Sequence, residues 1–182
     1  MRLRWGTLVT MVVAVNVVAI SMWINPPPKL IWNASASVPI GFYTVRPAHD
    51  LRVRDLAVVT PPDDVARLLA AGGYLPLGVP LIKPVAALPG QNVCRSGVAI
   101  TIDGKPFGTA RERDRLHRPL PVWEGCRVVA LDEIFFMNAD RSDSLDGRYF
   151  GPLPASAVLG RALPIWTDEE GDGRYVWNAP TH

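Results

Sequence analysis

The chain has little with which to bind a metal or a nucleic acid. It holds only two cysteines and three histidines. There is no C-x-x-C pair and no histidine cluster at ligand spacing, so the usual patterns of metal sites are missing. The formal net charge is +2, which gives no strong electrostatic case for a nucleic-acid partner. Basic residues are dispersed among acids. Even the arginine-rich run RERDRLHR at 111–118 carries two acids and reads as a solvated surface loop. None of the histidines offers a good catalytic base. His182 ends the sequence, His49 lies in a Pro-Ala-His-Asp loop, and His117 lies in the charged run. No internal repeat is present, and no metal or other cofactor is implied.

Apolar residues and proline, by contrast, are plentiful. Apolar residues make up 48% of the 182, and the excess sits near the N-terminus. That length fits one globular domain with a small appendage. Eighteen prolines argue for a loop-rich, mainly β domain with few long helices. An apolar run extends from Trp5 to Ile24, with Asn16 and Ser21 as its main polar members. About 20 apolar residues in a helix span a bilayer, and Trp5 and Trp23 sit where indoles favour the interface. A cleaved signal peptide is the alternative, but its apolar core is shorter and ends at small residues. Here Ile-Asn-Pro-Pro-Pro follows. The expectation is an uncleaved anchor over 1–25 in contact with membrane lipid, a linker over 26–32 and a catalytic domain over 33–182. Arg2 and Arg4 favour the N-terminus inside, weakly opposed by Lys29. The domain then lies outside the cytoplasm.

That placement suits the cysteines. In an oxidising compartment Cys94 and Cys126 most simply form one disulfide. It closes a loop of about 33 residues and contributes roughly 3–4 kcal/mol in the chain-entropy model. Two buried free thiols are the alternative.

The rest of the chain reads as short strands. LIWNASASVPIGFYTVRPA is loop, then strand, and LRVRDLAVVTP is a strand. TPPDDVARLLAAGG is the one short helix of the domain, with Thr60 as N-cap and Gly72-Gly73 as its stop. VPLIKPVAALPGQNVC is an apolar strand ending in a turn. GVAITIDGKPFG is a hairpin turning at Asp103-Gly104. RVVALDEIFFMNAD holds another strand or two, DSLDGRYFGPLP is turn-rich, and SAVLGRALPIW is the closing strand.

Lys83 is out of place in the apolar stretch PLIKPVAA. On a strand it shares a face with Leu81 and Val85. Desolvation disfavours its ammonium form and lowers its pKa. A neutral amine can take a proton from a serine hydroxyl, as in Ser–Lys variants of the catalytic triad. Snorkelling at a strand edge is the bland alternative.

Four motifs in order decide between these. After the apolar run come S-x-S-x-P-x-G-x-Y at 35–43, I-K-x-V-x-x-L-P-G at 82–90, S-x-D-G-R-Y-x-G-P-x-P at 144–154, and Gly160-Arg161-Ala162. This arrangement resembles the signal peptidase I superfamily of Ser–Lys membrane proteases, and within it the TraF-type conjugal transfer signal peptidases. The resemblance runs from Arg2 to about Trp166. It implies a signal peptidase I-like β fold behind a single N-terminal transmembrane helix. Ser37 then matches the nucleophile, Lys83 the general base, and Ser35 a hydroxyl that helps bind the oxyanion. Ser144 would aim the lysine amine. Asp146 is a candidate third essential residue, and it could pair with Arg148. Pro84 stands where the superfamily often has arginine, and Asn138-Ala139-Asp140 replaces its Gly-Asp-Asn. The resemblance further implies that an extended substrate adds to a strand edge and acylates Ser37. Water, or an amine that closes a ring, would then resolve the acyl-enzyme. The implied partner is a pilin precursor. A general signal peptidase acting on preproteins and a non-catalytic tethered component of a mating channel are the alternatives.

Overall fold

The computed structural model describes residues 5–23 and 28–180. The first element is helix α1 (Trp5–Trp23). Its apolar side chains, among them Val12, Val13, Val15 and Ile20, are exposed. Among the described residues no helix is long and apolar enough to cross a membrane. Arg2, Arg4 and Pro26 and Pro27, on which part of the anchor-and-linker expectation rests, lie outside the described residues.

The domain is built on two sheets. The larger contains β1 (Leu30–Asn33), β2 (Ile40–Arg46), β3 (Leu56–Val59), β4 (Leu81–Ala87), β9 (Glu133–Phe136), β10 (Leu153–Pro154), β11 (Val158–Asp168) and β12 (Val176–Trp177). Its order is β1-β2-β11-β3-β4-β9-β10, with β12 added to β11. The smaller contains β5 (Asn92–Ser96), β6 (Ala99–Ile102), β7 (Lys105–Thr109) and β8 (Gly125–Val128), in the order β7-β6-β5-β8. Helix α2 (Asp63–Ala71) covers the larger sheet through Val65 and Leu69, which pack with Ala57, Val59, Val85 and Phe136. One turn of helix, α3 (Gly147–Phe150), follows β9.

β4 is a buried inner strand. β3 pairs with it over Leu81–Pro84, and β9 takes over on its other edge at Val85 and Ala87. Both faces are covered, so the strand reads as a continuous apolar run rather than an alternating one. Pro84 is tolerated there because its carbonyl points to the β9 side and accepts from Met137 N at 3.2 Å. The missing N–H would point the same way, where no strand pairs at that position.

Several expectations shift by a few residues. Leu30–Asn33, expected as loop, is a strand in register with Gly41–Thr44 of β2. The strand expected from Leu51 begins only at Leu56. The Asp55 carboxylate accepts from Arg52 N at 2.9 Å and closes a turn there, with Arg54 at φ 82°. Thr60 is not the cap of α2. Its N–H is spent on Ala157 O at 2.8 Å, and Pro62 occupies the cap position with no side-chain bond. The hairpin at Asp103-Gly104 is present, with both residues at positive φ, as its tight turn requires.

Cys94 and Cys126 stand directly opposite each other on β5 and β8 and form the disulfide. It joins β8, which follows the long 110–124 connection, to the middle of the small sheet. Replacing both cysteines by alanine should lower Tm by roughly 10 °C, given the loop it closes. Thermal melts of the oxidised wild type and the double variant check this, and equal Tm values would refute a stabilising bridge.

Candidate active site

The hairpin loop 34–39 between β1 and β2 carries Ser35 and Ser37. Asn33, the last residue of β1, organises it. The buried Asn33 side chain donates to the carbonyls of Ser35 (2.8 Å), Val38 (3.1 Å) and Pro39 (3.0 Å), and its Oδ1 accepts from Ser35 N at 3.3 Å. The loop's far end is fixed by Gly41. A Cβ there would stand 2.2 Å from Trp166 O, so only glycine lets β2 lie this close to β11. Tyr43, fully buried, donates its hydroxyl to Pro39 O at 2.6 Å.

From outside the hairpin comes one more restraint. Asn138 Nδ2 donates to Ser37 O at 2.7 Å. Sequence reading gave Asn33 no role and noted Asn138 only as part of the altered Gly-Asp-Asn. Each lies a few residues before a matched motif and carries no chemistry until the chain is folded.

Ser35 Oγ and Ser37 Oγ are 3.0 Å apart, and Ser35 Oγ lies 3.2 Å from Asn33 Oδ1. Each hydroxyl has one proton. The row is satisfied when Ser37 donates to Ser35 and Ser35 donates to Asn33. In this arrangement Ser35 braces Ser37 instead of aiming its own proton at open space.

Lys83 is 3% exposed. Its Nζ donates to Ser144 Oγ at 2.8 Å, across 61 residues of sequence. Burial lowers its pKa from 10.5 to about 8. The Asp146 and Asp143 charges oppose that shift, and the Arg148 charge supports it. Lys83 and Ser37 share no hydrogen bond, but both line one groove of about 750 Å³, together with Ser35 and Ser144.

Asp146 does not touch the lysine. Its carboxylate caps α3 by accepting from Arg148 N (3.2 Å), and it accepts from Asn138 N (3.1 Å). It also takes a two-pronged contact from the Arg148 guanidinium, Nε at 2.7 Å and Nη2 at 3.0 Å. Both side chains are wholly buried. Two further Arg148 donors go to Thr109 O (2.8 Å) and Asn138 O. A carboxylate so fully occupied serves as a fixed brace for the 138–148 segment. That segment carries Ser144 to Lys83 and Asn138 to Ser37. Gly147 is part of the same fit, since a Cβ would meet the Phe135 ring at 2.5 Å and Phe136 O at 2.8 Å.

The groove has a wall the sequence did not foretell. The arginine-rich run 111–118, expected as a solvated loop, lines it through Arg111, Asp114, Arg115 and Arg118. Apolar side chains of β1, β4 and α2, including Ile31, Leu81 and Leu69, also line it. Among the described residues no cluster of histidine, cysteine and acids could hold a metal ion.

Comparison with known proteins agrees with this arrangement of motifs. A family model described as signal peptidase, peptidase S26, matches residues 2–167. The chain is 36% identical over 148 residues to a probable conjugal transfer protein TraF of Sinorhizobium fredii, covering 74% of this chain and 76% of that one. It is 35% identical over 145 residues to a conjugal transfer protein TraF of Agrobacterium fabrum, covering 74% and 81%. A probable signal peptidase I-1 of Synechocystis sp. is 35% identical over 115 residues, covering 63% of this chain and 54% of that one. With the family model spanning all the residues that build the groove, the chain belongs to the peptidase S26 family of signal peptidases and is a serine peptidase.

Proposed function

We propose that this chain is a membrane-tethered endopeptidase in which Ser37 is the nucleophile and Lys83 the general base, and that it processes a pilin precursor for conjugative transfer. The observation that carries the reading is the buried Lys83 amine. It becomes neutral from about pH 8, is aimed by Ser144, and opens on the same groove as Ser37. Relatives described as conjugal transfer proteins favour the pilin substrate. The tether rests on the apolar run Trp5–Ile24 and the exposed apolar side chains of α1. From Arg2 and Arg4 at its start we further propose that the domain lies on the periplasmic side of a bacterial inner membrane.

The chemistry uses groups already in place. Substrate lies extended against the outer edge of β4 at Leu81–Lys83, where β9 does not pair, and adds a strand to the sheet. Neutral Lys83 takes the Ser37 hydroxyl proton as Oγ bonds to the scissile carbonyl carbon. The resulting oxyanion is met by the Ser37 N–H and, after rotation from Asn33, by the Ser35 hydroxyl. Collapse breaks the C–N bond, and the Lys83 ammonium gives its proton to the departing amine. Water, deprotonated by Lys83, then releases the acyl group as a carboxylic acid. A peptide amine in place of water would close a ring. Asp146 and Arg148 position this machinery without touching the reacting atoms.

A second reading, a general signal peptidase acting on exported preproteins, is favoured by the Synechocystis relative. Co-expression with a pilin precursor and with a generic preprotein separates the two. Under the first reading only the pilin loses mass, and a further loss of one water marks ring closure.

Ser37→Ala and Lys83→Ala should each abolish processing with the fold intact. Lys83→Arg should fail as well, because guanidinium stays charged. Precursor mass after co-expression checks all three, and processing by Lys83→Arg would remove Lys83 as base. Because the neutral amine is the active form, kcat/KM should climb about tenfold per pH unit below 8 and level off above it. A profile flat from pH 5 to 9 would exclude a titrating amine.

The same proton links activity to stability. The folded pKa lies below the unfolded value of 10.5, so between about pH 8 and 10.5 the unfolded chain binds more protons and stability rises with pH. Below pH 8 the cost of burying the ammonium is fully present. Lys83→Met should therefore melt higher than wild type at pH 7, with most of the gain gone by pH 10. A gain that is the same at both pH values would show that the amine is not the cause.

A further inference from the structure

We propose that Arg111 forms a carboxylate subsite in the groove, so that the preferred substrate carries an acidic group on the segment lying along the 111–118 wall. This rests on the reading of Ser37 and Lys83 as the cleaving pair and adds to it the chemistry of the substrate.

Three guanidiniums and two carboxylates of this wall and the facing segment line the groove. Two of the guanidiniums are already committed. Arg118 pairs with Asp114 at 2.6 Å, and Asp114 also accepts from the Tyr74 hydroxyl at 2.5 Å. Arg115 pairs with Asp143. Arg111 remains. Its Nη2 donates to Ser142 Oγ at 2.8 Å, and among the described residues it has no carboxylate partner. An arginine carries five N–H donors in a planar fork that fits a carboxylate on two points. One donor is used here, so the fork is left open to the groove.

The fork is also held in place before anything binds. The Arg111 backbone N–H donates to the hydroxyl of buried Tyr149 at 3.0 Å. The preceding residue, Ala110, is buried with Tyr149 and Leu120 in one cluster. The bond to Ser142 ties the guanidinium to the segment that carries Ser144, the partner of the Lys83 amine, two residues further along the chain. A cation restrained at its backbone and at its tip loses less freedom on taking an anion. It lines the same groove as Ser37 and Lys83 and its side-chain bond goes to Ser142 instead of to either of them, which suits a specificity determinant rather than a catalyst. A side-chain carboxylate and a chain-terminal carboxylate share this chemistry.

The test uses the full chain in detergent micelles and a set of matched peptides spanning the processing site. One series carries Glu or Gln at each position within four residues of the scissile bond. A second pair ends in a free acid or an amide. The readout is the ratio of kcat/KM for the acidic and neutral members. Wild type should favour the acidic member about tenfold at one position, the scale of one charge-assisted hydrogen bond. Arg111→Gln should bring that ratio to about one. Arg111→Lys, with charge but no fork, should keep only part of it. Arg111→Glu should prefer a Lys-bearing peptide at that position. Preference for a Glu position assigns a side chain, and preference for the free acid assigns a chain end. A wild-type ratio of one throughout, or a ratio that survives in Arg111→Gln, overturns the subsite while leaving the peptidase reading standing. If wild type cleaves none of the peptides, including the neutral parent, the peptidase reading fails and the subsite falls with it.

Discussion

The desolvation of one amine governs the rest of the site. A lysine in an inner strand keeps its charge only at a cost in free energy, and that cost is what brings its pKa to about 8. A bare carboxylate within reach would undo it by favouring the ammonium. Asp146 is that carboxylate, and it is buried nearby. The protein disarms it by surrounding it with the Arg148 fork and two backbone N–H groups. The ion pair is therefore less a source of stability, which buried pairs seldom are, than a means of keeping a necessary brace electrically quiet. Ser144 supplies direction to the amine without supplying charge.

Around this amine the site is assembled from three separate stretches of chain. β4 brings the lysine, the β1–β2 hairpin brings Ser37, and the 138–148 segment touches both. Asn138 is the meeting point. Its side chain holds Ser37 O, its N–H holds Asp146, and its carbonyl receives Arg148. Distances between serine and lysine are thus set by backbone-anchored contacts and not by long side chains searching for each other. Such restraint is what the proposed proton transfer between the two groups requires.

Much of this was legible in the sequence, and for identifiable reasons. Lys83 stood out because a charge in an apolar strand breaks a local rule. Ser35, Ser37, Ser144, Asp146 and Arg148 stood out only through the order of motifs, since none is unusual where it sits. The Asp103-Gly104 turn was readable because its backbone demands those residues. What stayed hidden was long-range. Asn138 acts on Ser37 O, 101 residues away in sequence, whereas Asn33 gathers carbonyls of its own loop, whose turn is not set until the hairpin forms. Leu30–Asn33 read as loop because its β pairing depends on β2. Thr60 looked like a cap because nothing local reveals that its N–H is taken by Ala157. The charged run 111–118 read as solvated, which its exposure supports, yet one face of it closes the groove.

That run connects β7 to β8 and so belongs to the small, disulfide-joined sheet, whereas Ser37 and Lys83 belong to the large one. The groove lies between residues of the large sheet and this connection. In the proposed reading the large sheet holds the cleaving pair, and the 111–118 connection presents the side chains that read what lies along the groove. Tyr149 is the rivet between them, with its hydroxyl on Arg111 and its ring facing Arg95, whose guanidinium holds Arg148 O at 2.5 Å. If Ser37 and Lys83 cleave and Arg111 reads the substrate, as proposed, chemistry and recognition sit on different stretches of chain. The 111–118 wall is then free to be recut for another substrate as long as the rivet is kept.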